Sequence, residues 1–246
     1  MKNINLNFCI TLIIPIIIAG CSIDENNYTT NANINFNAFY QNSNNHIILD
    51  SMVYVNAEGE NYSIKNLKYL ITNLSILTAD GATLLLKDIH FIDFLDESSL
   101  SIDLGEIPNN IYTHLNFQFG LDSSINISNK FVNENFHATM AWPEIMGGGY
   151  HYMKLEGSYN NDSTFYNTHT GPSMGEDFSF NKSMEIPLNV DGDLGDISIY
   201  LNMHINNWYQ NPYSLNFEGA IMMDMPKQMQ LKMNGITDVF SIELIK

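Results

Sequence analysis

Residues 69–94 read YLITNLSILTADGATLLLKDIHFIDF, and this stretch decides the fold class. Asp80 and Gly81 in its middle form one of the strongest short-range signals for a β-hairpin. The flanking runs are rich in Ile, Leu, Thr and Phe, and β-branched and aromatic residues favour strands. We therefore predict two antiparallel strands joined by a tight turn.

Similar short apolar segments, separated by turn residues, recur along most of the chain. They predict a mainly β protein, an antiparallel β-sandwich that forms a single domain over residues 34–246. Residues 64–74, IKNLKYLITNL, also fit helical spacing, but their Ile and Thr suit a strand. Residues 226–236, PKQMQLKMNGI, fit either a closing helical turn capped by Gly235 or an extended segment with alternating apolar residues.

The N-terminus has the pattern of an export signal. Lys2 precedes an apolar run over residues 8–19, which is too short to cross a bilayer, and small residues stand before Cys21. Ala19-Gly20-Cys21 is similar to a bacterial lipobox, which implies that residues 1–20 are removed and that Cys21 carries the lipid. Residues 21–33 are then expected to form a flexible tether, and the protein to be held at a membrane of the bacterial cell envelope by lipid alone.

Composition excludes several functions. The net charge is -17, and such a chain is a poor partner for nucleic acid, where affinity rests on cationic contacts to phosphate. The two cysteines are Cys9 and Cys21, so the exported chain has no thiol for a disulfide, a thiolate metal site or a nucleophile. Phosphate-loop, His-Glu-x-x-His and Gly-x-Ser-x-Gly motifs are all missing, and we expect a protein that is not an enzyme.

Histidine and methionine are the remaining candidates for metal ligands. In an exported chain without thiols, imidazole is the best available ligand for a transition metal. His151, His169 and His204 lie close in sequence to Trp, Tyr and Met, whereas His46 lies in a polar loop and is expected to be solvated. Five methionines fall within residues 222–233 and are candidates for soft ligands, although their alternation favours packing in a core.

The loop and strand at residues 140–157, MAWPEIMGGGYHYMKLEG, leave two interpretations open. The glycines at 147–149 allow a sharp turn and a close backbone approach without any ligand. In a strand, His151, Met153 and Leu155 share one face and Tyr150 the other. An inward-facing His151 either helps to hold a soft cation or makes an ordinary hydrogen bond in the core.

Several segments, in this order and spacing, are similar to the MbnP-like family of exported copper-binding proteins. They are YSIKNLKYLITNLSILTADG, LNFQFGLD, MAW, GGYHYMKLEG and THTG, with INNWYQNP and IMMDMP later in the chain. The resemblance implies an antiparallel β-sandwich that binds copper through imidazoles. His169 matches a His-x-Gly position and Trp142 a Met-x-Trp position. In some members that Trp is oxidised to kynurenine, and a dihaem peroxidase-like protein is the oxidising partner.

These observations lead to one hypothesis and one alternative. The hypothesis is a lipid-anchored envelope protein, not catalytic, that holds copper mainly through His169 with one or two of His151, His204 and His46, beside Trp142. The alternative is a metal-free binding or adhesion module on the same sandwich. Convergence of at least two His side chains favours the first, and scattered His side chains with hydrogen-bond partners favour the second.

Overall fold

The computed structural model describes residues 29–41, 45–190, 195–219 and 221–245. The predicted signal sequence and Cys21 lie outside these residues. In chain order the strands are β1 (Thr29–Phe39), β2 (Tyr54–Val55), β3 (Asn61–Thr78), β4 (Thr83–Asp93), β5 (Ser101–Pro108), β6 (Asn110–Phe119), β7 (Met153–Tyr159), β8 (Thr164–Thr170), β9 (Phe180–Val190), β10 (Ile197–His204) and β11 (Phe240–Ile245). The α-helices are α1 (His137–Met140) and α2 (Met225–Thr237), and short 3-10 helices span Glu97–Ser99, Glu144–Met146 and Ile205–Tyr209.

The strands form two sheets, which confirms the predicted sandwich class. One sheet has the order β11-β10-β1-β5, and the other has the order β8-β7-β3-β6-β9 with β2 and β4 also paired to β3. All pairs are antiparallel except β1 and β10, which run parallel. Within the described parts of the chain, no helix is long and apolar enough to span a bilayer.

The 18-residue strand β3 organises the larger sheet. Its first half pairs with β7, and its second half pairs with both β4 and β6. The predicted hairpin joins β3 to β4 through residues 79–82, where the Thr78 amide donates to Ala82 O at 2.8 Å and Gly81 has φ +89°. The segment 64–74 lies wholly within β3, so the strand interpretation of IKNLKYLITNL is confirmed.

Alternating side chains fill the space between the sheets. Phe240 of β11 reaches Phe117 and Phe119 of β6, with ring centroids 5.2 and 5.7 Å apart. Strand periodicity explains this contact, because residues two apart face the same side of a sheet.

The strand β1 begins at Thr29, so residues 29–33, which the sequence analysis assigned to the tether, belong to the sandwich.

The methionine-rich segment near the C-terminus is helical, so its interpretation as an extended core segment was wrong. Asp224 caps α2 by accepting the Lys227 amide at 3.0 Å, and Pro226 lies in the first turn, where a missing N–H costs nothing. Met229 on this helix is 47% exposed, whereas Leu231 is buried. Gly235 does not cap the helix; it lies within α2 against Phe180 and Trp208.

Candidate metal centre

His151 and His169 lie side by side. His169 belongs to β8, and His151 stands two residues before β7. Their ring centroids are 4.9 Å apart and their planes are nearly perpendicular, at 85°. Both side chains are buried, His151 to 5% and His169 to 9% exposure. Two of the four predicted ligands therefore meet at one place.

The meeting of these two rings depends on a break in the strand. His169 pairs with Lys154, and directly opposed residues in an antiparallel ladder share a face. If β7 extended back to His151, alternation would place that ring on the other face. Instead, β7 begins at Met153, and the His151 amide donates to Met140 O at 2.6 Å. The chain thus leaves the ladder and carries His151 to the side of His169.

Hydrogen bonds fix the tautomer of each ring. His151 Nδ1 lies 3.0 Å from Met140 O, which can only accept, so this nitrogen carries the proton. His169 Nε2 lies 2.7 Å from Glu156 Oε1, so in the neutral ring this nitrogen donates to the carboxylate. The lone pairs are consequently left on His151 Nε2 and on His169 Nδ1.

Among the described residues, these two nitrogens have no hydrogen-bond partner although both are buried. Buried polar atoms are nearly always bonded, and leaving one unsatisfied costs about 1–3 kcal/mol. Two such atoms on adjacent rings therefore need an explanation. A carboxylate that orients an imidazole from behind is the usual arrangement around a metal-binding His, and Glu156 stands in that position behind His169.

Electrostatics keep the pair ready to accept a cation. Burial, followed by repulsion from His169, lowers the pKa of His151 from 6.5 to about 4, so this ring is neutral at physiological pH. The hydrogen bond from His169 lowers the pKa of Glu156 to about 2, and Asn66 supports the charge with a bond of 2.8 Å. A cation binds only to unprotonated ligands, so a neutral imidazole and an ionised carboxylate are the forms that favour its binding.

Trp142 closes one side of the pair. Its ring lies 4.6 Å from that of His151 at an angle of 71°, and its side chain is 3% exposed. A Cβ at Gly171 would lie 2.6 Å from Trp142 Cε3, so only glycine allows this close approach. The indole Nε1 is also buried, and none of the described residues bonds it. The Met-x-Trp and His-x-Gly segments of the sequence thus pack directly on each other.

Gln228 of α2 secures the end of β8, a role that no pattern in the sequence predicted. Its Nε2 donates to His169 O at 2.8 Å and to Ile221 O at 3.2 Å, while its Oε1 accepts from the Gly171 amide at 3.4 Å. Glu156 was also missed, although it stands in the Lys-Leu-Glu-Gly segment that follows His151. Its position two residues from Lys154, on the same strand face as His169, was the available signal.

His204 and His46 do not join the pair. Both nitrogens of His204 are bonded, Nδ1 to Gln41 O at 2.9 Å and Nε2 to Ser241 Oγ at 2.7 Å. His46 is exposed and lies against Phe39, with ring centroids 4.5 Å apart. Across the described ranges, no group of three or more His, Cys, Asp or Glu side chains is arranged to hold a metal. The candidate site is therefore a pair of imidazoles.

The fold and this pair define the chain as a β-sandwich protein with a two-histidine site beside a buried Trp. Residues 29–224 match the MbnP family, so the chain belongs to that family. Among solved structures it is similar to "MbnP from Methylosinus trichosporium", with a TM-score of 0.59 and 13% identity over 89% of this chain and 99% of the other. At this identity the likeness shows the fold alone. The comparison with curated proteins gave no match.

Proposed function

We propose that this protein binds copper in the cell envelope through His151 Nε2 and His169 Nδ1. The observation that carries the proposal is that these two buried nitrogens lack partners within the described part of the chain, while the opposite nitrogen of each ring is bonded. Imidazole is a good copper ligand, and family membership supports the same metal.

The number of ligands favours monovalent copper. Structural zinc sites take four protein ligands, and divalent copper prefers a square-planar or tetragonal set of nitrogen and oxygen donors. Cu(I) is stable with fewer donors, and two buried imidazoles, each with its other nitrogen already hydrogen-bonded, suit it. When bound, Cu(I) would supply a soft, redox-active cation; Glu156 would orient one ligand and Met140 O the other.

The test is a competition titration of the full chain, purified in detergent, with Cu(I) against a chromogenic chelator. Wild-type protein is expected to retain one tightly bound ion, and His151→Ala and His169→Ala to lose it. His114→Ala is the matched control, because this half-buried strand His bonds only its neighbour Thr113 among the described contacts. Retention of copper by both site variants, or its absence from wild type, refutes the proposal.

Anchoring is the second part of the proposal and rests on the sequence alone. The apolar run before the Ala19-Gly20-Cys21 segment supports export and lipid attachment at Cys21. Cys21→Ser is expected to release the protein from the membrane fraction, and mass spectrometry of the wild type is expected to show a lipid-modified N-terminal Cys21. An unmodified thiol at this position would contradict the anchor.

Trp142 is the residue that the family resemblance offers as an oxidation target. Its contact with His151 supports a role beside the ion, and no step of copper binding requires its oxidation. We infer a non-catalytic protein in which any oxidation of Trp142 is carried out by a partner of the dihaem peroxidase type. Mass spectrometry of the peptide that contains Trp142, from protein made with and without such a partner, distinguishes native tryptophan from kynurenine.

A further inference from the structure

Three methionines line a single cavity close to the imidazole pair. Met146 ends the 3-10 helix Glu144–Met146, and Met222 and Met223 lie in the turn that precedes α2. Together they line a cavity of about 380 Å³. Two segments that are about 75 residues apart in the chain therefore contribute methionines to the walls of one cavity, which the sequence does not reveal.

These methionines are not core residues. Met223 is 60% exposed, and Met222 and Met146 are half-buried. Apolar side chains of this size at the surface need an explanation when they gather around one cavity. Phe165, which also lines it, is 70% exposed. The cavity is therefore open to solvent on a side where apolar and thioether groups are concentrated.

The chemistry of the lining selects a soft cation. The described side chains around the cavity are thioether, aromatic, aliphatic, hydroxyl and amide groups, and none of them is charged. A hard ion such as Ca²⁺ or Mg²⁺ requires carboxylates and other oxygen ligands, and an anion would find no positive charge there. Thioether sulfur prefers Cu(I), and the aromatic faces of Phe165 and Tyr166 attract a cation further.

We propose that Met146, Met222 and Met223 form a second, thioether site for a soft monovalent cation such as Cu(I). This site is distinct from the imidazole pair, because neither His151 nor His169 lines the cavity. The cavity is nevertheless close to the pair, because Asn167, which lines the cavity, lies two residues before His169 in β8. Ile221 also lines the cavity, and the Gln228 side chain donates to the carbonyls of both Ile221 and His169.

The experiment uses Ag(I), a soft monovalent ion that does not change oxidation state under the assay conditions. The full chain carries His151→Ala and His169→Ala, so that the imidazole pair is absent, and its methionine methyl groups are labelled with carbon-13. Added Ag(I) is expected to move the signals of the three cavity methionines together and to saturate with one ion. Met174 and Met229 serve as internal controls, because they are exposed but do not line the cavity.

Substitution by leucine removes sulfur while keeping an apolar side chain of similar volume. Met222→Leu and Met146→Leu are each expected to weaken Ag(I) binding by about tenfold, whereas Met229→Leu leaves it unchanged. Equal shifts of all exposed methionine signals, or no shift at the cavity, overturn the proposal. Because the pair is already removed, this result is independent of whether the pair itself binds copper.

Discussion

The buried His151 should make the stability of the metal-free protein depend on pH. Its pKa in the folded chain is about 4, against 6.5 for an ordinary histidine, mainly because burial penalises the charged ring. In the folded state the ring therefore stays neutral between these two values, while the unfolded chain takes up a proton. The stability that the neutral ring contributes is fully present above pH 6.5 and is lost as the pH falls towards 4.

The magnitude follows from the two pKa values. The difference between 6.5 and about 4 corresponds to about 3 kcal/mol, of which about 2 kcal/mol is lost between pH 6.5 and pH 5. Other groups face this ring and titrate lower: the pKa of Glu156 on β7 is held near 2, so its contribution falls away only below about pH 4.5. Lys154 and His169 also act on this ring, and both are retained in the variants compared.

The assay measures the free energy of unfolding of wild type and His151→Asn by urea titration, in the presence of a metal chelator, at about pH 7 and at about pH 5. Asparagine keeps a polar group near Met140 O but cannot take up a proton. Wild type is expected to lose about 2 kcal/mol more than the variant between the two pH values. His114→Asn is the control, and its pH dependence should follow wild type. Identical pH dependence for wild type and His151→Asn would refute the assignment of a neutral, buried ring.

Three further changes have defined outcomes. Glu156→Gln keeps a hydrogen-bond acceptor for His169 but removes the negative charge behind this ligand. The variant is expected to bind copper about 10–100-fold more weakly in the chelator competition. Its far-ultraviolet circular dichroism spectrum should stay unchanged. Gly171→Ala places a methyl group 2.6 Å from the Trp142 ring, so we expect a loss of about 1–3 kcal/mol in urea unfolding and a change in indole fluorescence. An unaltered emission spectrum would show that the indole does not pack there. Gly235→Ala raises helix propensity by about 1 kcal/mol but places its Cβ 2.5 Å from Phe180 Cζ. Overpacking is expected to outweigh the gain in propensity and to lower the midpoint of thermal unfolding. A higher midpoint would show that the gain in propensity is the larger effect.

The fold could be predicted from the sequence wherever a local pattern determined it. The β-branched and aromatic residues of β3 and β4 and the turn at Gly81 specify a hairpin without distant contacts, and this element forms as expected. The helix α2 could not be assigned in the same way, because its methionines fit both periods. The cap at Asp224, followed by Pro226, was the signal that favoured the helix.

The candidate site could be predicted only in part. Motif order pointed to His169 and Trp142, and the structure brings these together with His151. His204 was as plausible as His151 from sequence, because the groups that bond its ring, Ser241 and Gln41, lie far along the chain. Whether an imidazole nitrogen is left free is therefore not a local property of the sequence.

The sequence by itself determined most of the strand content and the placement of both cysteines near the N-terminus, at positions 9 and 21, since each depends on neighbouring residues or on composition. The tertiary structure decided the site. Strict alternation would have separated His151 from His169, whereas in the structure β7 begins after His151, whose amide bonds Met140 outside the ladder. In the same way, it is the fold that places Met146 and Met222 on the walls of one cavity. Both convergences arise from contacts between distant segments, which a strand or helix period does not encode.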